Sequence, residues 1–165
     1  METITAVVRK KIKQYIKNKI DISSLIEGKI IAGEDFSYAI IKKMNRENDN
    51  ISGCNFSNCL IGNDDDIVSL LRCNMKNCNF NSAKFVGRAW IRYCDARNCN
   101  FKNADVSDVD YRFSDFRDGN FCNSKITIST SAGVGCKFPV SMFEELCKGW
   151  LLNITVEENN EKKEM

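Results

Sequence analysis

The sequence has no histidine and a single proline among its 165 residues. Without an imidazole, a Cys–His nucleophilic pair is excluded. One proline rules out a Pro-rich linker. No apolar run approaches the roughly 18 residues that a membrane-spanning helix needs, so no span is expected. The first residues are charged and contain no apolar signal core, so no secretory signal is expected. No Gly-rich phosphate loop is present, and the side chains that nucleophilic or metal chemistry requires do not cluster. A net charge of +2 supplies no bulk electrostatic reason to expect a charged partner. What remains is the composition of a soluble globular chain, 43% apolar and 28% charged, with a length that suits one domain.

Cysteine is the one unusual abundance. The count of nine is odd, and with no export signal a disulfide framework is not expected. Reduced, packed thiols in a cytoplasmic protein are expected instead.

From Cys73 to Ile126 the chain divides into fives: Cys-Asn-Met-Lys-Asn, Cys-Asn-Phe-Asn-Ser, Ala-Lys-Phe-Val-Gly, then, after the extra Arg88, Ala-Trp-Ile-Arg-Tyr, Cys-Asp-Ala-Arg-Asn and onward. The first place is small or thiol-bearing, the second usually Asn or Asp, and the third large and apolar. Six of the nine cysteines fall on the first place. A period of five fits neither a helix nor a strand, and a fixed internal period points to a solenoid. The beat begins more weakly at Ser24. It is disturbed at Met44–Asn48, where Arg46 occupies an apolar place and suggests a bulge, at Asn63–Ile67, and at Arg88.

The flanks differ. Residues 3–20 carry Ile4, Val8, Ile12 and Ile16 four apart, with Val7, Tyr15 and Ile20 beside them, which predicts an amphipathic helix. Residues 1–20 hold six basic residues and one acid. This segment reads first as a cap with a solvated basic face, since a solenoid end must be covered. Its second reading is a docking element for an acidic partner, nucleic acid or anionic lipid. After Ile126, Gly133, Gly135 and Pro139 mark turns. Ser141 and Glu144 form a capping box for a short helix through Lys148, with Phe143, Leu146 and Trp150 on its apolar side. Leu151–Val156 reads as a strand or an arm, and residues 157–165 as a disordered tail. The expected plan is therefore 1–23 capping helix, 24–138 repeat body, 139–156 C-terminal helix and arm, and 157–165 tail.

The tandem fives over about residues 24–131 resemble the pentapeptide-repeat family, whose pattern is roughly A(D/N)LXX, with Cys here in place of Ala and aromatics in place of Leu. The resemblance implies a mainly β fold, a right-handed quadrilateral parallel β-helix (solenoid) of about five to six coils. It also implies that the first and third places point inward. Counting sides along the sequence predicts four inward columns. The first side holds Phe36, Phe56, Met75, Ala96 and Phe116, and the second Ile41, Ile61, Phe80, Phe101 and Phe121. The third holds Ile26, Arg46, the Asp66/Ile67 break, Phe85, Val106 and Ile126, and the fourth Ile31, Ile51, Leu70, Ile91 and Tyr111. The same count stacks Cys54, Cys73 and Cys94 in one column and Cys59, Cys78 and Cys99 in the next. These ladders read as packing rather than a metal site, because structural metal sites converge four ligands on a point. Cys122 falls on an outward place.

No catalytic residue, cofactor or metal is expected, and the preferred function is a non-enzymatic scaffold that binds a protein partner. Two surfaces are candidates. Arg46, Glu47, Asp64, Asp65, Asp66 and Arg88 are expected to protrude as one strip along the third side. The strip reads first as tolerated insertions in successive coils and second as an interaction surface, since loops on a regular scaffold are where function concentrates. The run of three Asp has no recognised calcium-loop spacing. Trp90, Tyr93 and Phe113 are expected on the fourth side, either as an exposed aromatic interface or as a patch covered by the Trp150–Val156 arm of the same chain. Phe143, Leu146 and Trp150 serve either as a plain cap or as the seam of a homodimer. The resemblance also implies an alternative, because one branch of the family binds DNA gyrase or topoisomerase IV by imitating DNA. Residues 34–137 hold 13 acids and 14 bases, which weighs against it, although Asp95, Asp105, Asp110, Asp115 and Asp118 offer a local acidic face.

Overall fold

The structure is a computed structural model and describes residues 1–127 and 133–142. Phe143, Leu146 and Trp150, with the rest of the expected C-terminal helix, arm and tail, lie outside the described residues.

The period of five arises from one repeated turn. The fifth place adopts a left-handed backbone, and Asn, the side chain that best tolerates it, recurs there: φ is 58° at Asn58, 60° at Asn77, 58° at Asn98, 58° at Asn103 and 57° at Asn123. The next first-place N–H then donates to the third-place carbonyl, as in Ala39 to Phe36 (2.9 Å) and Ala104 to Phe101 (2.9 Å). The chain turns a corner every five residues and closes into a parallel β-solenoid.

In order, the elements are β1 (Glu2–Thr3), α1 (Ala6–Lys17), α2 (Ser23–Ile26), β2 (Lys29–Ile30), β3 (Ile40–Ile41), β4 (Asn45–Glu47), β5 (Leu60–Gly62), β6 (Val68–Leu71), β7 (Lys84–Val86), β8 (Ala89–Arg92), β9 (Asp105–Val106), β10 (Val109–Asp110) and β11 (Lys125–Ile126). On the second side β3, β5, β7, β9 and β11 pair in parallel, and on the third β4, β6, β8 and β10 do. Single bridges build the other two sides. The first joins Asp35, Asn55, Asn79, Asn100 and Asn120, and the fourth joins Asn50, Asn74, Asp95, Asp115 and Lys137.

These pairings correct the column map. The upper coils stack as the sequence predicts, but every five after Ile61 belongs one side earlier. Ile61 pairs with Phe85, and Arg46 with Leu70. Asn63–Asp66 is therefore a loop inserted at the corner between the second and third sides, not a broken side of its own. Counting it as a side displaced everything downstream. The correct first column is Phe36, Phe56, Phe80, Phe101 and Phe121, a continuous ladder with successive ring centroids 5.4, 5.1, 4.9 and 4.9 Å apart and nearly parallel. Offset stacking of this kind adds to area burial. The expected bulge at Met44–Asn48 is absent too, since Asn45–Glu47 is the regular strand β4.

The upper end is closed by α1. The Thr5 hydroxyl accepts from the Val8 N–H to start the helix (3.3 Å). Ile4 and Ile12 are buried, Val8, Tyr15 and Ile16 pack on the core, while Val7 and Ile20 of the expected stripe are exposed. An Arg9–Glu34 ion pair ties the helix to the first full coil, and β1 adds to the upper edge by pairing with β2.

The cysteines follow the corrected register. Cys54, Cys78 and Cys99 share one column, and Cys73, Cys94 and Cys136 another. Each thiol donates to a carbonyl one coil above: Cys54 to Ile31 (2.8 Å), Cys78 to Ile51 (2.9 Å), Cys99 to Met75 (3.0 Å) and Cys136 to Tyr111 (2.8 Å). Ser114 does the same toward Ile91 (2.7 Å). A thiol thus fills the small inward place and satisfies a carbonyl lone pair that Ala would leave bare. All cysteines among the described residues are free. Burial pushes the Cys54 and Cys59 thiols up to about 12. The neighbouring ladder thiol, Cys99 for Cys78 and Cys73 for Cys94, and then burial, push Cys78 and Cys94 up as well, while Cys73 is lowered.

Because unfolding returns these thiols to an ordinary value near 8.5, the unfolded chain holds fewer protons above about pH 9. The thiol contribution to stability is therefore expected to be constant below about pH 9 and to fall from there toward pH 12, by about 1.4 kcal/mol per pH unit for each of Cys54 and Cys59. Urea unfolding across that range checks the slope. In a Cys147→Ser background at pH 8, an aromatic disulfide reagent is expected to modify Cys122 rapidly and the six buried ladder thiols only on unfolding.

Candidate interaction face

The corrected register changes the functional geometry. Sequence counting puts the charged strip on the third side and the aromatic patch on the fourth, but the structure puts both on the third. β8, which carries Trp90, pairs with β6, which pairs with β4.

Trp90 occupies the outward second place of the third side and is half-buried. The Arg92 guanidinium lies over its indole, 4.1 Å from the ring centroid. Arg92 also pairs with Asp110, and Arg112 reaches the same carboxylate at 2.9 Å. Tyr93 and Phe113 occupy the fifth place of the same side on successive coils. Their rings stack at 4.9 Å and 13°. Above them the Arg72 guanidinium stands 5.5 Å from the Tyr93 ring. Below them Phe113 covers Gly135, where an added Cβ would lie 2.4 Å from the ring. The result is a corner column of Arg72, Tyr93, Phe113 and Gly135.

This column is costly where it stands. Tyr93 has φ 57° and Phe113 φ 58°, the conformation that most corners of this solenoid give to Asn or Gly. A bulky side chain there costs roughly 1–2 kcal/mol. Burial offsets it only in part, because Tyr93 is 51% exposed and Phe113 47%.

The charged strip is only partly assembled. Arg46 does not protrude. It turns inward and is 6% exposed, paired to the equally buried Asp49 at 2.7 Å and donating to the Ile26 (2.6 Å) and Lys29 (2.7 Å) carbonyls. It fills an inward place of the third core column, beneath Ile26, as an ion pair. Glu47, Asp64, Asp65 and Arg88 are exposed and Asp66 is half-buried. The inserted loop is held by Asn63, whose side-chain oxygen accepts the Asp65 and Asp66 N–H groups at 2.7 and 2.8 Å. It rests on the coil below, where a Cβ on Gly87 would lie 2.1 Å from the Asn63 carbonyl oxygen. A groove of about 600 Å³, lined by Glu47, Asp65, Asp66, Ser69, Arg88 and Trp90 among others, runs from this loop to Trp90.

The expected acidic face does not form. Asp95 and Asp115 lie on the fourth side, Asp105 on the second and Asp110 on the third. Each is matched by cations. Arg97 (2.9 Å) and Lys76 (3.1 Å) reach Asp95, Arg117 reaches Asp115 (2.7 Å), and Lys125 reaches Asp105 (3.4 Å). The Arg97 hydrogen bond holds the Asp95 carboxyl down at about 2. Asp115 is lowered chiefly by Arg117. At Asp110 burial pushes upward, but the hydrogen bonds from Arg112 and Arg92 outweigh it. Asp-x-Arg forks therefore recur at 95–97, 110–112 and 115–117, with the Asp on the second place and the Arg on the fourth. That spacing is legible once the frame is known, but its effect, neutral flat forks in place of a bare acidic surface, was missed.

Among the described residues no three carboxylate or thiol groups converge to hold a metal ion, and no helix is long and apolar enough to cross a membrane.

No family model matches the sequence, and no curated protein does. Among solved structures the chain is similar to a trypsin-treated variant of QnrB1, described as a plasmid-mediated fluoroquinolone resistance protein. The match has 14% identity, covers 72% of this chain and 89% of that chain, and has a TM-score of 0.14. A likeness that low carries no argument about function.

Proposed function

We propose that this is a non-enzymatic scaffold of the pentapeptide-repeat type, working in the cytoplasm, which binds a protein partner through the corner of Trp90, Tyr93 and Phe113. The observation that carries the reading is the exposed Tyr93–Phe113 stack on left-handed backbone. A strained, solvent-facing aromatic pair that adds little burial is retained for contact with something else. Trp, Tyr and Arg are the side chains most enriched where binding energy concentrates, and all three meet here. The adjoining groove extends the face from Trp90 toward Glu47, Asp65, Asp66 and Arg88.

Imitation of DNA toward gyrase or topoisomerase IV fits less well. Asp95, Asp105, Asp110 and Asp115 point from three different sides, and each is compensated by Lys or Arg. A gyrase supercoiling assay, with and without a quinolone, is expected to show no effect of this protein. Protection that disappears on neutralising Asp105, Asp110 and Asp115 would restore the DNA-mimic reading.

A photo-crosslinking amino acid placed at Tyr93, and separately at the exposed Lys102 on the Asn-rich first side, tests the preferred reading in cells expressing the protein. A discrete adduct is expected from position 93 and none from position 102. Equal labelling from both would remove the corner as the binding surface.

A further inference from the structure

We infer that the partner is acidic: a protein segment whose carboxylates meet the arginines flanking the Tyr93–Phe113 column and whose apolar side chains meet the ring edges. The inference rests on the corner being the binding surface.

The arginines lie in two ranks on either side of that column. Arg92 and Arg112 occupy the fourth place of the third side, and Arg97 and Arg117 the fourth place of the next, with Arg72 above Tyr93. In the stretches 68–77, 89–98 and 109–118, which build these two sides, six cations accompany four carboxylates. Three of those carboxylates serve to flatten arginines. Arg97 binds Asp95 through Nε and Nη2 at 2.9 Å each, Arg112 binds Asp110 through Nε at 3.1 Å, and Arg117 binds Asp115 through Nε at 3.0 Å and Nη2 at 2.7 Å. A guanidinium has five N–H donors, so each fork leaves donors pointing outward. Arg97, Arg112 and Arg117 keep 38%, 38% and 53% of their side chains exposed. They are already fixed in place, so less side-chain freedom is lost when a carboxylate arrives.

A polyanion of the nucleic-acid kind fits this surface poorly. Bases bind by stacking on free ring faces, and here the faces are occupied. Tyr93 lies between Arg72 and Phe113, Phe113 lies between Tyr93 and Gly135, and Arg92 covers one face of the half-buried Trp90. What faces solvent is ring edges, which carry the positive end of the aromatic quadrupole. Positive edges beside guanidinium donors match carboxylates, while Asp95, Asp110 and Asp115 in the same surface oppose a continuous phosphate chain.

Selection from a displayed library of random peptides against the intact protein, with labelled poly(dT) measured in parallel, tests this. The expected binders combine Asp or Glu with apolar residues. They are expected to weaken by about tenfold or more on the Arg97→Gln/Arg112→Gln/Arg117→Gln protein, whose folding is checked by thermal melting, and to weaken with rising salt. Binders that lack acidic residues and ignore the Arg→Gln changes, yet are lost on Tyr93→Asn/Phe113→Asn, would overturn the acidic partner and leave the binding corner standing. Failure to select any binder sensitive to Tyr93→Asn/Phe113→Asn would overturn both. Poly(dT) binding tighter than every selected peptide would overturn the inference in favour of nucleic acid.

Discussion

Phe101→Ala is expected to lower the unfolding free energy by about 3–5 kcal/mol, the range for deleting a fully buried ring. Phe101 has no exposed surface and lies at the centre of the ladder, stacked on Phe80 at 4.9 Å and on Phe121 at 4.9 Å, with Phe116 edge-on at 5.9 Å. The space it leaves cannot close easily. Coils are held about 4.8 Å apart by the backbone ladder, and the rings above and below are fixed by their own hydrogen-bonded strands, including Phe80 N–H to Asn100 at 2.7 Å and Phe101 N–H to Asn120 at 2.7 Å. An Asn or Asp at the same position adds the cost of a buried polar group to the cavity. Urea unfolding measures the difference. In a chain of 165 residues the change corresponds to a fall in Tm of roughly 2–4 °C for each kcal/mol.

Asp49→Ala is expected to cost about 3–5 kcal/mol, because it strands a buried guanidinium. Only 5% of the Arg46 side chain and 6% of the Asp49 side chain reach solvent. The remaining partners of Arg46 are the Ile26 and Lys29 carbonyls, which carry no full charge to balance it. Changing both partners has a different outcome. Arg46→Leu with Asp49→Cys recreates the coil below, where Leu70 and Cys73 occupy the equivalent inward places. Removal of a whole buried pair is often close to neutral, so the double variant is expected to recover most of the loss, short of the bonds to the two carbonyls. A double-mutant cycle in urea gives the coupling directly.

The solenoid was legible because its cause is local. A small first place, an apolar third place and an Asn-tolerant fifth place each act within one turn, and the sequence repeats them many times. Side numbering was not local. Gly62–Ile67 has the length of a drifted repeat, and nothing in those residues says whether Asp66 lies over a core column or outside it. The answer comes from Ile61 pairing with Phe85 and from the space above Gly87 that the Asn63 loop fills. The error hid two things. It split the five-ring ladder between two columns, and it separated Trp90 from the groove that Glu47, Asp65 and Asp66 line. Arg46 was misread for a related reason. An arginine on an inward place looks like a defect until Asp49, three residues on, is seen to share its burial. Trp90, Tyr93 and Phe113 were readable as neighbours, because they fall within coils that the displacement moved together.

The unfolding free energy of Tyr93→Asn/Phe113→Asn tests most directly the claim that these rings are held for contact and not for folding. Asn suits the left-handed corner, relieving roughly 1–2 kcal/mol at each position, while the lost ring stacking withdraws about 0.5–1.5 kcal/mol and the lost half-burial of each ring withdraws roughly another 1 kcal/mol or more. The predicted result is a protein about as stable as the original, with the proposed binding corner gone. A loss of more than about 2 kcal/mol would contradict the account, because the aromatic column would then be part of what holds the solenoid together.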